Sequence, residues 1–233
     1  VATVSAGSNQ IPFPFRVGEK LTFSVEYGPI KAGHATLEVR DTVVVDGVHC
    51  WHFVSEARSS PWFSIFFKVE DHIDSFASID SLHSVRFEKH LREGHYSADE
   101  YVHFDQGTQE AFYPKDSVTV EMPYGSRDIL ASLYYARTAD LKVGRSLLFD
   151  NHTDKKNYPI EIQVIRQETI DTSVGTFDCL VIEPMLQSVG IFKHEGKLTV
   201  WVTNDPWKIP VLMKSKVMIG SIQVIIKEIQ LSG

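Results

Sequence analysis

Leu21-Thr22-Phe23-Ser24-Val25-Glu26-Tyr27, then Gly28-Pro29-Ile30-Lys31-Ala32-Gly33, then Ala35-Thr36-Leu37-Glu38-Val39-Arg40: this stretch decides the fold class. In the first run Leu21, Phe23, Val25 and Tyr27 alternate with Thr22, Ser24 and Glu26. Successive side chains of an extended chain point to opposite faces, so the run predicts a strand with one face buried and one in water. Ala35, Leu37 and Val39 repeat the pattern against Thr36, Glu38 and Arg40. The segment between them carries turn chemistry, because glycine permits φ > 0 and proline fixes φ.

The same grammar continues outward. Val43-Val44-Val45 runs into Asp46-Gly47 and out through Val48 to Val54, and Asp-Gly between two β-rich runs is a strong hairpin signal. Glu93-Gly94 separates two further runs, Asp105-Gln106-Gly107 leads into another, and Gly175 precedes Thr176–Glu183. Glu195-Gly196 divides Ile191–His194 from Lys197–Thr203. Asn204-Asp205-Pro206 suits a turn, and Gly220 suits a bend between Ile209–Met218 and Ser221–Leu231. One segment changes period: Ile129, Leu130, Leu133, Tyr134 and Arg137 fall at helical spacing, with Ser126 as cap and Asp128 in the first turn. The reading is all-β, an antiparallel barrel-like or strongly curved sheet with one short helix, Arg127–Ala139, plugging or covering one end. Residues 11–233 are expected to form one domain with a weak seam near 140–157, and the small, polar residues 1–10 to be poorly ordered.

Composition narrows the function classes. The chain has 233 residues, 43% hydrophobic and 23% charged, as an ordinary globular protein does. Its net charge of −7 offers nothing to a phosphate backbone, so nucleic acid is not an expected partner. No apolar stretch is long enough for a transmembrane segment. The opening residues, Val1 to Gln10, lack a charged n-region and an apolar h-region, consistent with a signal peptide already removed. Cys50 and Cys179 form no CxxC pair. In an exported protein they could close one long-loop disulfide, and otherwise they are two buried thiols.

Catalytic and metal signatures are absent. There is no GxSxG, HExxH, Walker or dinucleotide-binding motif, so neither an enzyme nor a cofactor is expected. The ten histidines are scattered and lack the three-ligand spacing of a zinc site, which predicts no metal. The acidic run Glu70-Asp71-His72-Ile73-Asp74 has oxygen ligands suited to a hard cation, yet no EF-hand spacing, and reads better as a solvated face. Asn151-His152-Thr153 is a formal glycosylation sequon.

Aromatic residues carry the remaining signal. Trp201 sits between Thr199 and Thr203 on a polar-looking face, and Trp51 and Phe53 share a face with His49 and Ser55. Flat rings beside small polar groups are what a sugar stacks on. Ser60-Pro61-Trp62-Phe63-Ser64-Ile65-Phe66-Phe67 is the most aromatic segment, and if exposed it marks contact with a lipid, a partner or a ligand.

The run Phe15–Ala35 also resembles the opening signature of an exported bacterial family catalogued as domain of unknown function 3108. The resemblance continues through Lys68-Val69-Glu70-Asp71, Glu93-Gly94-His95-Tyr96, Arg127–Arg137, Gly175–Cys179, Trp201–Asp205, Pro210-Val211 and Ile219-Gly220-Ser221. It implies an exported protein, periplasmic or associated with the outer membrane, with a barrel-like all-β sheet. It implies no catalytic residues. The expectation is therefore a non-enzymatic binding protein of the cell envelope, presenting a cleft to a glycan with Trp201, Trp51 and Phe53 as site residues. A carrier of lipid or lipoprotein acyl chains, with an apolar lumen near Trp62, Phe63, Phe66 and Phe67, is one alternative. An envelope protein partner bound along a sheet edge is the other.

Overall fold

A computed structural model describes residues 13–185, 198–216 and 221–231. The strands in chain order are β1 (Lys20–Tyr27), β2 (Ile30–Val45), β3 (Val48–Ser59), β4 (Glu70–Ser78), β5 (Ser84–Glu93), β6 (Tyr96–Asp105), β7 (Glu110–Tyr113) and β8 (Val118–Glu121). One α-helix among the described residues, α1 (Ile129–Thr138), precedes β9 (Ser146–Thr153), β10 (Lys156–Thr172), β11 (Gly175–Met185), β12 (Leu198–Thr203), β13 (Pro210–Lys216) and β14 (Ser221–Gln230). All fourteen belong to one antiparallel sheet ordered β8-β7-β6-β5-β4-β3-β2-β1-β14-β13-β12-β11-β10-β9. The chain is thus two meanders joined where β1 pairs with β14. The segment 140–157 contributes β9 and the start of β10 to this sheet. Residues 1–10, Glu195-Gly196 and Gly220, expected above to be a poorly ordered segment, a turn and a bend, lie outside the described residues.

The hairpin readings hold with small adjustments. Val45 pairs with Val48 across Asp46-Gly47, whose φ values of 50° and 82° are those a two-residue turn of this hand requires. Tyr27 pairs with Ile30, so the first connection is only Gly28-Pro29. Gly33 belongs to β2 instead, opposite Ser59, where an added Cβ would overlap the Arg58 carbonyl oxygen. Glycine there allows two strands to approach and is not turn chemistry.

No backbone ladder joins the two edges, β8 and β9. Side chains bridge them. The Tyr113 hydroxyl accepts from the Lys155 amide at 2.9 Å and lies 2.8 Å from His152 Nε2, while His152 Nδ1 lies 2.6 Å from Asn157 Oδ1. Burial holds the imidazole below its ordinary pKa, and a neutral ring protonated on Nδ1 satisfies all three contacts. Asn157 Nδ2 donates to the Glu121 carbonyl at 2.9 Å, and Arg127 bridges to Asn151 near the C-terminal end of β9. Asn151 is fully buried, with Nδ2 donating to the Arg127 carbonyl and Ser132 Oγ, so the sequon is structural.

The helix starts two residues later than predicted and its cap is Asp128, not Ser126. Asp128 Oδ1 accepts from the Leu130 and Ala131 amides at 2.9 Å each. Its Oδ2 accepts from Ser75 Oγ on β4 at 2.7 Å and from Ser84 Oγ on β5. Ser126 Oγ donates to the Pro123 carbonyl. One carboxylate therefore caps the helix and pins it to two strands, and burial, outweighing these bonds, raises its pKa.

Leu130, Ala131 and Tyr134 of α1 pack on Phe23, Leu37, Val39, Phe53 and Ala77 of the sheet. The Tyr134 ring stacks on Phe53 at 3.8 Å, and Phe15 meets both rings edge-on. Against the opposite meander, Ala136 joins Leu141, Phe149, Ile160, Ile162 and Val200. At the end of the helix Arg137 Nη1 and Nη2 donate to the two Glu19 carboxylate oxygens at 2.6 and 2.9 Å. Arg137 also donates to the carbonyls of Pro14 and Trp207. Both side chains are almost fully buried, at 2% and 0% exposure.

A buried pair broken on one side leaves an uncompensated charge in low dielectric. Arg137→Ala is therefore expected to cost roughly 3–5 kcal/mol of unfolding free energy. The double change Arg137→Met with Glu19→Leu should recover most of that loss in the same urea titration. A double variant no more stable than the single one would show that packing, not charge, sets the cost.

Candidate functional site

The connection between β3 and β4 holds the aromatic segment as a tight turn. Ser60 Oγ accepts from the Phe63 amide, Ser64 Oγ donates to the Ser60 carbonyl at 2.8 Å, and Ser59 Oγ accepts from the Val69 amide at 2.9 Å. The Phe66 and Phe67 amides both donate to the Phe63 carbonyl at 2.9 Å. With the backbone and serines satisfied internally, the large side chains are turned outward. Trp62 is 57% exposed, Ile65 77%, Phe66 72% and Phe67 45%. Phe63 is half-buried. The Trp62 and Phe66 rings meet edge to face at 5.4 Å.

Turns of an antiparallel meander alternate ends, so this one lies with Gly28-Pro29 and with the Gly94-His95 turn between β5 and β6. The Gly94 amide donates to the Lys68 carbonyl at 2.7 Å, and a Cβ at Gly94 would press into the Phe67 ring at 2.8 Å. The aromatic tip therefore rests on the neighbouring hairpin. Lys31, Arg58 and Lys68 are exposed around it. Glu70 lies 3.1 Å from Lys68 and 3.9 Å from Arg58, and the Lys68 ammonium holds its carboxyl below the usual range.

The rings proposed as a sugar platform lie elsewhere. Phe53 is fully buried and Trp201 is 5% exposed, so neither presents a face. Trp51 is half-buried beneath Phe13 and Phe15, whose ring centroids lie 5.5 and 5.3 Å away. Both strand faces are covered here, which single-strand periodicity cannot reveal. The aromatic segment is likewise an exposed turn, not the wall of an enclosed lumen. Cys50 and Cys179 are free and buried, and burial pushes their thiols to about 11 and about 12, so the disulfide option is not taken.

A second constellation went unseen in sequence. On the other face of the sheet, His52 Nδ1 lies 3.1 Å from Asp41 Oδ1, and its Nε2 lies 2.7 Å from Asp74 Oδ1. His72 Nε2 lies 2.7 Å from Asp74 Oδ2, and its Nδ1 lies 3.1 Å from Glu56 Oε1. Five residues on β2, β3 and β4 thus form one chain of alternating carboxylate and imidazole, which a doubly protonated ring satisfies at both nitrogens. The His52 ring also stacks on Phe76 at 4.5 Å. Only the register, which sets His52 opposite Asp41 and Phe76, assembles this set. Among the described residues no group of three or more His, Cys, Asp or Glu side chains is arranged to hold a metal ion. The acidic run is thereby accounted for at Asp74.

A cleft of about 670 Å³ opens at the opposite end from the aromatic turn, lined by Asp46, His83, His103, Gln106, Phe112 and Tyr124 among others. Burial, together with the Arg127 guanidinium, holds His83 below its ordinary pKa. The cleft is lined by residues of β3 to β8 and of the turns that join them.

Burial pushes the Asp74 carboxyl up, but the imidazoles of His52 and His72 outweigh it and hold the pKa below its ordinary value. A depressed carboxyl contributes stability above its unfolded pKa, and that contribution is lost as pH falls through the folded value. Asp74→Asn should therefore lower stability most near neutrality, with the gap to the parent closing below about pH 4. Urea midpoints at pH 7 and pH 3 check this, and a gap of the same size at both would contradict it.

The fold is similar to the crystal structure of a beta-barrel-like protein of domain of unknown function DUF1849 from Brucella abortus. That match has a TM-score of 0.58 at 8% identity and covers 93% of this chain and 98% of that one. The chain is also similar, at a TM-score of 0.35 and 10% identity over 94% of its length and 98% of the other, to a Bacteroides fragilis protein assigned as exported, with a YmcC-like fold. No curated protein matches. Residues 22–227 match the model of the family described as protein of unknown function (DUF3108), and the chain belongs to that family.

Proposed function

We propose that this is a non-enzymatic, exported protein of the bacterial cell envelope that engages lipid through the Trp62–Phe67 turn. The carrying observation is that Trp62, Ile65, Phe66 and Phe67 stand out to solvent from one short, internally braced turn. Exposed side chains of this size in one place mark an interaction surface. Their chemistry selects lipid: Trp and Phe favour the headgroup boundary, and the surrounding Lys31, Arg58 and Lys68 suit anionic headgroups. Among the described residues no helix is long and apolar enough to cross a membrane. The contact envisaged is superficial, made by a short turn that reaches the headgroup boundary. The acyl chain is reached from outside, by a tip, in place of an enclosed carrier lumen.

A partner strand added at a sheet edge has less support. Edge β8 is four residues long, and edge β9 is bridged by Arg127 at Asn151, near its C-terminal end.

The test is sedimentation with vesicles of phosphatidylglycerol and phosphatidylcholine. The parent protein should pellet with them, and Ile65→Ser with Phe66→Ser should weaken binding at least tenfold, since each side chain contributes roughly 1.5–3 kcal/mol on burial. Equal pelleting of parent and variant would remove lipid docking as the role of this turn.

A further inference from the structure

Below the aromatic turn, two carboxyl groups face each other on the concave side of the sheet. Glu93, the last residue of β5, bridges to Val69 at the foot of the turn. Asp71 lies two residues further along β4, so Val69, Asp71 and Glu93 share a face and Asp71 and Glu93 are diagonal neighbours. Asp71 Oδ1 accepts from the Arg92 amide at 2.9 Å, which turns the carboxyl toward β5. The residue after Glu93 is Gly94, against which the Phe67 ring rests.

The surroundings of the pair are poor in compensating charge. Opposite Asp71 on β3 is Ala57, and opposite Glu93 on β6 is Tyr96. Arg92 acts on Asp71 electrostatically, but its guanidinium is bonded to Asp99 at 2.8 Å. Lys68 and Arg58 are engaged by Glu70, and His72 by Glu56 and Asp74. His90 is held by Asp99, and His95 sits in the turn beyond Gly94. Two residues along the same face, Lys89 is bonded to Glu100 and Asp154. Among the described residues no cation pairs with Glu93.

We infer that the Asp71–Glu93 pair gates the docking of the aromatic turn, so that settling on a lipid surface is coupled to uptake of one proton by these carboxyls. This rests on the lipid-docking reading above and adds its regulation. Two half-buried carboxylates at this spacing repel each other, and a shared proton relieves the repulsion. Burial and the Asp71 charge already raise Glu93 to about 6 in the free protein. Docking brings hydrocarbon against Phe67 and strips water from the adjacent pair, which disfavours the charged form further. The docked state therefore binds more protons than the free state. By linkage, docking is strongest below the free-state pKa and is lost as pH rises through the docked value.

The test is vesicle binding between pH 5 and pH 8 on zwitterionic phosphatidylcholine, which removes headgroup attraction to the histidines. The parent should bind about tenfold more tightly at pH 5.5 than at pH 7.5, tenfold per pH unit being the limit for one proton. Glu93→Gln should bind tightly at both pH values, and Asp71→Asn should move the midpoint of the pH dependence downward. A parent with no pH dependence would overturn the gate while leaving docking intact. A dependence retained in Glu93→Gln would assign it to other groups and overturn the gate equally. No binding by parent or Glu93→Gln at any pH, on these vesicles or on those containing phosphatidylglycerol, would remove the docking reading itself, and the gate with it.

Discussion

Everything in this fold leans on the buried Arg137–Glu19 pair. A fourteen-stranded antiparallel sheet that rolls on itself has more interior than its own side chains fill, and α1 is the filler. A ten-residue helix is marginal alone, so its place must be fixed from outside. Asp128 fixes one end through β4 and β5. Arg137 fixes the other through Glu19 and the carbonyls of Pro14 and Trp207. Glu19 directly precedes β1, the strand on which both meanders meet, so the pair ties the plug to the middle of the sheet. An apolar pair could fill the same volume, but it would not fix the direction of the helix. A bidentate guanidinium does.

The plug divides the molecule. At its end, Phe23, Phe53, Ala77 and Phe87 are closed off from water. Toward the Gly28-Pro29 end, the same faces of β1, β3, β4 and β5 continue as Val25, Tyr27, Ala57, Asp71, Ile73 and Glu93, all half-buried. The aromatic turn and the carboxyl pair, poor in compensating charge, both sit at this less filled end. The two ends differ accordingly: around the plug the inner faces are buried, and at the other end they are half-buried and large apolar groups stand out to solvent.

How much of this was legible in the sequence follows from the physics of each element. Strand alternation and turn chemistry are local, so Leu21–Tyr27 and Asp46-Gly47 could be read directly. The helix could also be read, but its cap could not. Ser126 and Asp128 are both good caps in isolation, and Asp128 wins because Ser75 and Ser84, fifty-three and forty-four residues away, complete its carboxylate. Trp201 and Phe53 were misplaced for the same kind of reason: a strand pattern cannot say that its polar-looking face is also covered. The Asp41–His52–Asp74–His72–Glu56 chain depends wholly on register between three strands. By contrast, the density of aromatic residues in Trp62–Phe67 is local, and its exposure was the one question left for the structure.

That exposure is also costly enough to need a reason. A turn that merely connected β3 to β4 could be braced by its serines and its own carbonyls, as Ser59, Ser60, Ser64 and the Phe63 carbonyl brace it here. Nothing in the bonding of the turn calls for Trp62, Ile65, Phe66 or Phe67. Their side chains leave the fold's cores untouched, as none of the four belongs to a buried cluster. Phe67 leans on Gly94, beside Glu93. Large apolar groups that stabilise neither turn nor core find their favourable free energy in contact with something outside the molecule. Phe67 rests against Gly94, the residue after Glu93, so a change of solvent at the tip is felt next to the carboxyl pair.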